Sequence, residues 1–231
     1  MKMSLGVSLR LITAALFLCS SVRAFCSTPI FANNVYDLGI RFNPGTNEVG
    51  DEIILAGTER YLQRFDFEYW GTNTANPTSF STTVQARVTF YENNGSLVQG
   101  YNSPGTIFYQ SSWFNIAPTA RNSIYFVAGT DWAANGLYIP VSDMTWSVEF
   151  QGMNPAYDSV GVDLYSPPVV GSDYPDYWEM DNGSWALLTN SVPMDFGARF
   201  YADVPEPSSL ILSLVGGLGA LTLARRLRRT N

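Results

Sequence analysis

Between residues 60 and 150 apolar and polar side chains alternate with a period of two in three separate runs. In RYLQRFDFEYW, residues 60–70, Phe65, Phe67 and Tyr69 fall on one side of an extended chain and Arg64, Asp66 and Glu68 on the other, because successive side chains of a strand point to opposite faces. TVQARVTFY, residues 83–91, repeats the pattern with Val84, Ala86, Val88 and Phe90 inward and Gln85, Arg87 and Thr89 outward. MTWSVEF, residues 144–150, does so again with Trp146, Val148 and Phe150. Each of the three predicts a half-buried strand.

Seven shorter stretches read the same way: EIILAG (52–57), TIFYQ (106–110), SIYFVAG (123–129), SVGVDLY (159–165), DYWEM (176–180), SWALL (184–188) and FGARFYA (196–202). Most are bounded by Gly, Pro, Asn or Asp, which punctuate strands, and Asn94-Gly95 after the second run predicts a tight turn. No segment of the body sustains a 3.6-residue apolar stripe. Roughly ten short strands, each with one apolar face, predict an all-β domain, an antiparallel β-sandwich of jelly-roll type. A closed barrel is the other arrangement that the pattern admits.

The two ends break this pattern. Lys2 and Arg10 flank a short basic region, Leu11–Cys19 is apolar, and Val22-Arg23-Ala24 offers small residues for cleavage, so residues 1–24 read as a signal peptide. Cleavage there leaves Cys26 as the one thiol of the mature chain, too few for an internal disulfide, and the reading for it is a bystander. At the other end Ser208–Ala224 contains no charge. As a helix at about 1.5 Å per residue it measures roughly 25 Å, enough to cross a thin hydrocarbon layer. Arg225, Arg226, Arg228 and Arg229 follow it and belong on the cytoplasmic side, with the body outside. A buried core helix is the other reading of the run; its ending in ARRLRR at the terminus speaks against it. The division is thus signal peptide 1–24, exported domain 25–204 and C-terminal segment 205–231.

Charge then separates the parts. Residues 25–204 hold six arginines, no lysine and nineteen acidic residues, a net charge of −13. Nucleic acid is excluded as a partner, since phosphate recognition needs a basic face. The chain has no histidine, which removes histidine-based triads, histidine-bearing zinc sites and a histidine general base. No glycine-rich phosphate loop occurs. Paired carboxylates remain, but the sandwich-type glycanase pattern E-x-D-x-x-E stops at Glu179-Met180-Asp181, with Ser184 in the last acidic position. No catalytic residue, metal or cofactor is assigned.

SDYPDYWEMDNGSW, residues 172–185, gathers Asp173, Asp176, Glu179, Asp181 and Asn182 among four aromatic residues. The types suit calcium or a sugar face. The spacing matches no calcium loop, and turn-plus-core is the preferred reading. The sequons Asn94-Gly95-Ser96 and Asn182-Gly183-Ser184 read as ordinary turns.

Pro205-Glu206-Pro207, the apolar run and the terminal arginines, in that order at the C-terminus, resemble a PEP-CTERM sorting signal. The two prolines remove backbone donors and favour an extended chain around Glu206, which keeps a helix from running back into the motif. The resemblance implies processing by an exosortase, a membrane-embedded transpeptidase-like enzyme of Gram-negative bacteria that make exopolysaccharide. It also implies a precursor held in the inner membrane, then delivery to the cell surface or extracellular matrix. The expected role is structural or adhesive, without catalysis. A module binding exopolysaccharide is the second expectation, and a carboxylate-based glycan hydrolase the third.

Overall fold

A computed structural model describes residues 27–203; the signal peptide, Cys26, the Pro-Glu-Pro motif and everything beyond it lie outside the described residues. Those residues contain no helix. In chain order the strands are β1 (Ser27–Asn33), β2 (Asp37–Phe42), β3 (Val49–Ile54), β4 (Tyr61–Asn73), β5 (Gln85–Glu92), β6 (Leu97–Val98), β7 (Tyr101–Asn102), β8 (Ile107–Gln110), β9 (Phe114–Asn115), β10 (Thr119–Val127), β11 (Leu137–Tyr138), β12 (Asp143–Gln151), β13 (Asp158–Tyr165), β14 (Ser172–Asp173), β15 (Tyr177–Asp181), β16 (Ser184–Leu188) and β17 (Ala198–Asp203).

Two antiparallel sheets form a sandwich. The first runs β1-β17-β4-β13-β2, with β10 and β11 also paired to β4; the second runs β16-β15-β3-β12-β5-β8, with β14 on β3 and β9 on β5. A two-stranded hairpin, β6-β7, stands apart. β4 is the longest strand, at 13 residues. Along one of its edges β17 pairs with Leu62–Phe67 and β13 continues from Tyr69 to Asn73, while β10 and β11 follow its other edge.

The inward faces are the apolar sets of the alternating runs. Phe65, Phe67 and Tyr69 of β4 are buried, as are Ala86, Val88 and Phe90 of β5 and Trp146, Val148 and Phe150 of β12. Rings from the two sheets meet edge to face, Phe65 lying 5.0 Å from Phe90 and 5.3 Å from Trp146, and within the first sheet the tilted ring of Phe200 of β17 lies 4.6 Å from Phe65. Such offset contacts add to the gain from apolar burial alone.

All ten predicted strands are present. β1 and β2 were not predicted: STPIFAN carries Pro29 and no alternation, and DLGIRF turns at Gly39 with φ +68°. The Asn94-Gly95 turn is corrected. The hairpin reverses instead at Gln99-Gly100, both with positive φ, between the paired residues Val98 and Tyr101. Asn94 is held in a bend by its own amide, which accepts from Thr106 N at 2.8 Å, and Gly95 packs so closely that a Cβ would stand 2.4 Å from Ser103 Oγ.

Candidate functional site

The outward face of β4 is not the bare solvated surface that its polar residues suggest, because Asp66 and Glu68 are both buried. Arg64 and Arg199 reach Asp66 at 2.9 and 2.6 Å. Arg121 reaches Glu68 at 3.0 Å, and the Tyr165 hydroxyl donates to the same carboxylate. Arg121 and Arg41 share Asp37, and Arg41 lies 2.9 Å from Asp163. Despite partial burial, hydrogen bonds from Arg41 and the Gly39 amide, with the nearby guanidinium charges, hold the Asp37 carboxyl below its usual range. The Arg64 guanidinium sits between the rings of Tyr125 and Tyr201, 4.7 and 5.0 Å from their centroids.

The two remaining arginines of the body are engaged as well. Arg87 pairs with Glu149 at 2.6 Å on the second sheet, and Arg60 donates to the carbonyls of Glu59 and Gly57. Every positive charge of the described residues therefore has its partner or acceptor on a sheet face or loop, and the other acids among them have no ion-pair partner.

An open cleft of about 700 Å³ lies where the β6-β7 hairpin leans over the ends of β3, β5 and β12. Its walls include Tyr101 and Leu97 of the hairpin, Tyr174 after β14, and the Pro140–Ser142 segment leading into β12. Its carboxylates are Glu52, Glu92 and Asp143, and no basic residue lines it. The register explains the closest two. Glu52 stands opposite Thr145, so Asp143, two residues away on the same face, is its diagonal neighbour. The buried Trp178 indole donates to Glu52 Oε2 at 2.9 Å, and Asn93 donates to Asp143 Oδ1 at 2.7 Å while accepting from Thr145. Burial first, and then the Asp143 carboxyl, push Glu52 up to about 7 against the Trp178 hydrogen bond. The amides of Asn93 and Asn94 thus build the cleft; Tyr101, 56% exposed, faces solvent.

A second group of acids lies between the sheets. Asp51 is fully buried on the inward side of β3, accepting only the Phe196 amide at 2.8 Å. Burial, with the charges of Asp173 and Asp195 added, pushes its carboxyl well above the usual range. Burial likewise takes Asp173 to about 7 and Asp195 to about 6. The Asn33 amide donates to Asp173 and to the Tyr165 carbonyl. Among the described residues no three acidic side chains gather closely enough to hold a metal ion.

The 172–185 stretch is divided among these surroundings. Asn182-Gly183, both with positive φ, form the two-residue turn between β15 and β16, in the mirror-image conformation that suits a twisted hairpin. Tyr177 enters the core, and Trp178, on the opposite face of β15, is buried with its indole on Glu52. The carboxylates diverge: Asp173 turns to Asn33, Glu179 accepts from Asn47 at 2.9 Å, and Asp181 from its neighbour Asn182. Sequence reasoning missed Glu52 and Asp143, which are far apart in the chain and become a pair only through the β3-β12 register.

Pro205, Glu206 and Pro207, and Arg225, Arg226, Arg228 and Arg229, lie outside the described residues. Residues 203–229 match the PEP-CTERM protein-sorting motif, beginning at the last residue of β17. No curated protein and no solved structure shows a significant match to the chain. The motif implies an exported protein with a C-terminally membrane-anchored precursor, processed by an exosortase-type enzyme.

Proposed function

We propose that this chain is an exosortase substrate whose β-sandwich is delivered to the cell surface or extracellular matrix, where it acts structurally or adhesively without catalysis. The observation that carries this reading is the sorting motif at 203–229, following an antiparallel sandwich without a break in the sequence. The sandwich supplies a stable exported body and the motif its address. Changing Pro205-Glu206-Pro207 to three alanines tests it. The span and the arginines remain, so a simple anchor would insert unchanged, whereas a sorting substrate accumulates unprocessed in the inner membrane. Wild-type protein recovered from the surface and still carrying residues 208–231 would overturn the processing step.

The cleft favours a second reading, a module that binds exopolysaccharide. Tyrosine rings offer apolar faces to sugars, and fixed polar groups give orientation. The hydrolase reading has less support. A glycosidase needs one carboxyl placed as acid and another as base or nucleophile at a set separation, whereas Glu52 and Asp143 are each taken up by a side-chain donor, Trp178 and Asn93. A glycan array with the purified protein tests this reading: ring-dependent binding supports it, and uniform silence opposes it.

A further inference from the structure

We infer that the cleft beneath the β6-β7 hairpin takes an amine-bearing glycan, a polymer of hexosamine units with free ammonium groups, in preference to neutral or uronic-acid chains. This rests on the glycan-binding reading above and names the ligand class for the same site.

Charge complementarity carries the argument. Glu52, Glu92 and Asp143 line the cleft with no basic residue beside them, and the body carries a net charge of −13. A uronic-acid polymer brings more negative charge to that surface and is repelled. Among the described residues no spare cation is left to neutralise the site from within. Arg41, Arg64, Arg121 and Arg199 are tied into the outer face of the first sheet, Arg87 is paired with Glu149, and Arg60 is held by loop carbonyls. The positive partner must come from the ligand.

The remaining features fit a sugar that carries that charge. Tyr101 and Tyr174 flank the carboxylates, and tyrosine rings accept both the apolar face of a pyranose and an ammonium group. The carboxylate pair is preorganised, since Trp178 and Asn93 already fix Glu52 and Asp143 by hydrogen bonds. Less ordering is therefore left to pay for on binding. The cleft is open to solvent along one side, which lets a polymer lie across it without an end having to enter.

The test uses the full-length protein in detergent with three probes at neutral pH: β-linked glucosamine oligomers, their fully N-acetylated counterparts and a uronic-acid oligomer. Calorimetry should show the glucosamine oligomer binding at least tenfold more tightly than the acetylated one, with affinity falling as salt rises, and no binding of the uronic-acid oligomer. The double variant Glu52→Gln with Asp143→Asn keeps an acceptor for the Trp178 indole and should remove the preference for the free amine. Equal binding of the amine and acetylated oligomers overturns this inference and leaves the glycan reading standing; binding of none overturns both. If the double variant does not fold, Tyr101→Ala on the exposed hairpin takes its place. It should weaken the glucosamine oligomer about tenfold, and unchanged affinity would refute the assigned cleft.

Discussion

Asp51 faces Trp146 across the β3-β12 ladder, and each presents to the interior a polar atom without a partner among the described residues, the carboxyl Oδ1 and the indole Nε1. A buried ionised carboxylate with one amide donor and no cation is costly. The folded chain therefore holds protons on this group and on Asp173 and Asp195 at pH values where the unfolded chain has released them.

The pH dependence follows from that difference. Asp173 and Asp195 titrate near 7 and 6 in the folded chain, against about 4 for an unfolded aspartate. Over that window the folded state binds more protons, so stability from these groups is complete below about pH 4 and is lost as pH rises to about 7. Asp51→Asn keeps the acceptor for the Phe196 amide and needs no proton. At pH 7.5 it should melt about 2–6 °C above the unaltered protein, on the scale of about 2–4 °C per kcal/mol for a domain of this size, and the advantage should vanish at pH 4.5. Equal melting temperatures at both pH values would remove the buried-proton account.

Calcium should not substitute for those protons. The acids of the 172–185 stretch turn in different directions, and among the described residues no three acidic side chains converge. Micromolar calcium should leave the melting temperature unchanged; a clear rise, lost in Asp176→Asn with Asp181→Asn, would contradict this.

Phe65 contacts rings of both sheets, including Phe90, Trp146 and Phe200. Phe65→Ala should cost about 3–5 kcal/mol by leaving a cavity that these rings cannot fill, read as a lower urea midpoint at unchanged slope. A loss below about 1 kcal/mol would mean that the two layers are not packed as described.

The two kinds of arginine pair should separate in size. Asp66 is buried between Arg64 and Arg199, and Asp66→Asn should cost about 2 kcal/mol or more, since removing one partner of a buried ion pair costs about 3–5 kcal/mol and these arginines are partly exposed. Arg87→Ala, at the half-buried pair with Glu149, should cost less, about 1 kcal/mol, since neither of its charges is fully buried. The same urea series measures both, and equal costs would show that the network under β4 adds nothing beyond a surface pair.

Gly161 of β13 approaches the β2 end so closely that a Cβ would meet the Phe42 carbonyl oxygen at 1.7 Å. Gly161→Ala should therefore detach β2, seen as fast amide exchange across Asp37–Phe42 with β4 still protected. Retained protection would mean that the backbone yields.

Alternation exposed the sandwich because each strand of β4, β5 and β12 has one face in the core. It misjudged the opposite face. Asp66, Glu68 and Thr89 read as solvent-facing, yet each is covered by residues distant in sequence, Arg199, Tyr165 and Gln110. The cleft was illegible for the same reason: Glu52 and Asp143 look like ordinary strand residues until register makes them diagonal neighbours. The C-terminal motif, by contrast, is local in the chain, and its three parts could be read in order.

β17, the last strand before the sorting motif, runs between β1 and β4 and is hydrogen-bonded along both edges. Tension applied at Asp203, where the chain leaves the sandwich, acts along the axis of this interior strand. It must shear two ladders together, a far stiffer geometry than peeling an edge strand one bond at a time. Ser27 pairs with Asp203 itself, so the first strand braces the point where that load enters. Under the surface delivery proposed above, with the load entering from the C-terminal side, this arrangement is built to bear traction.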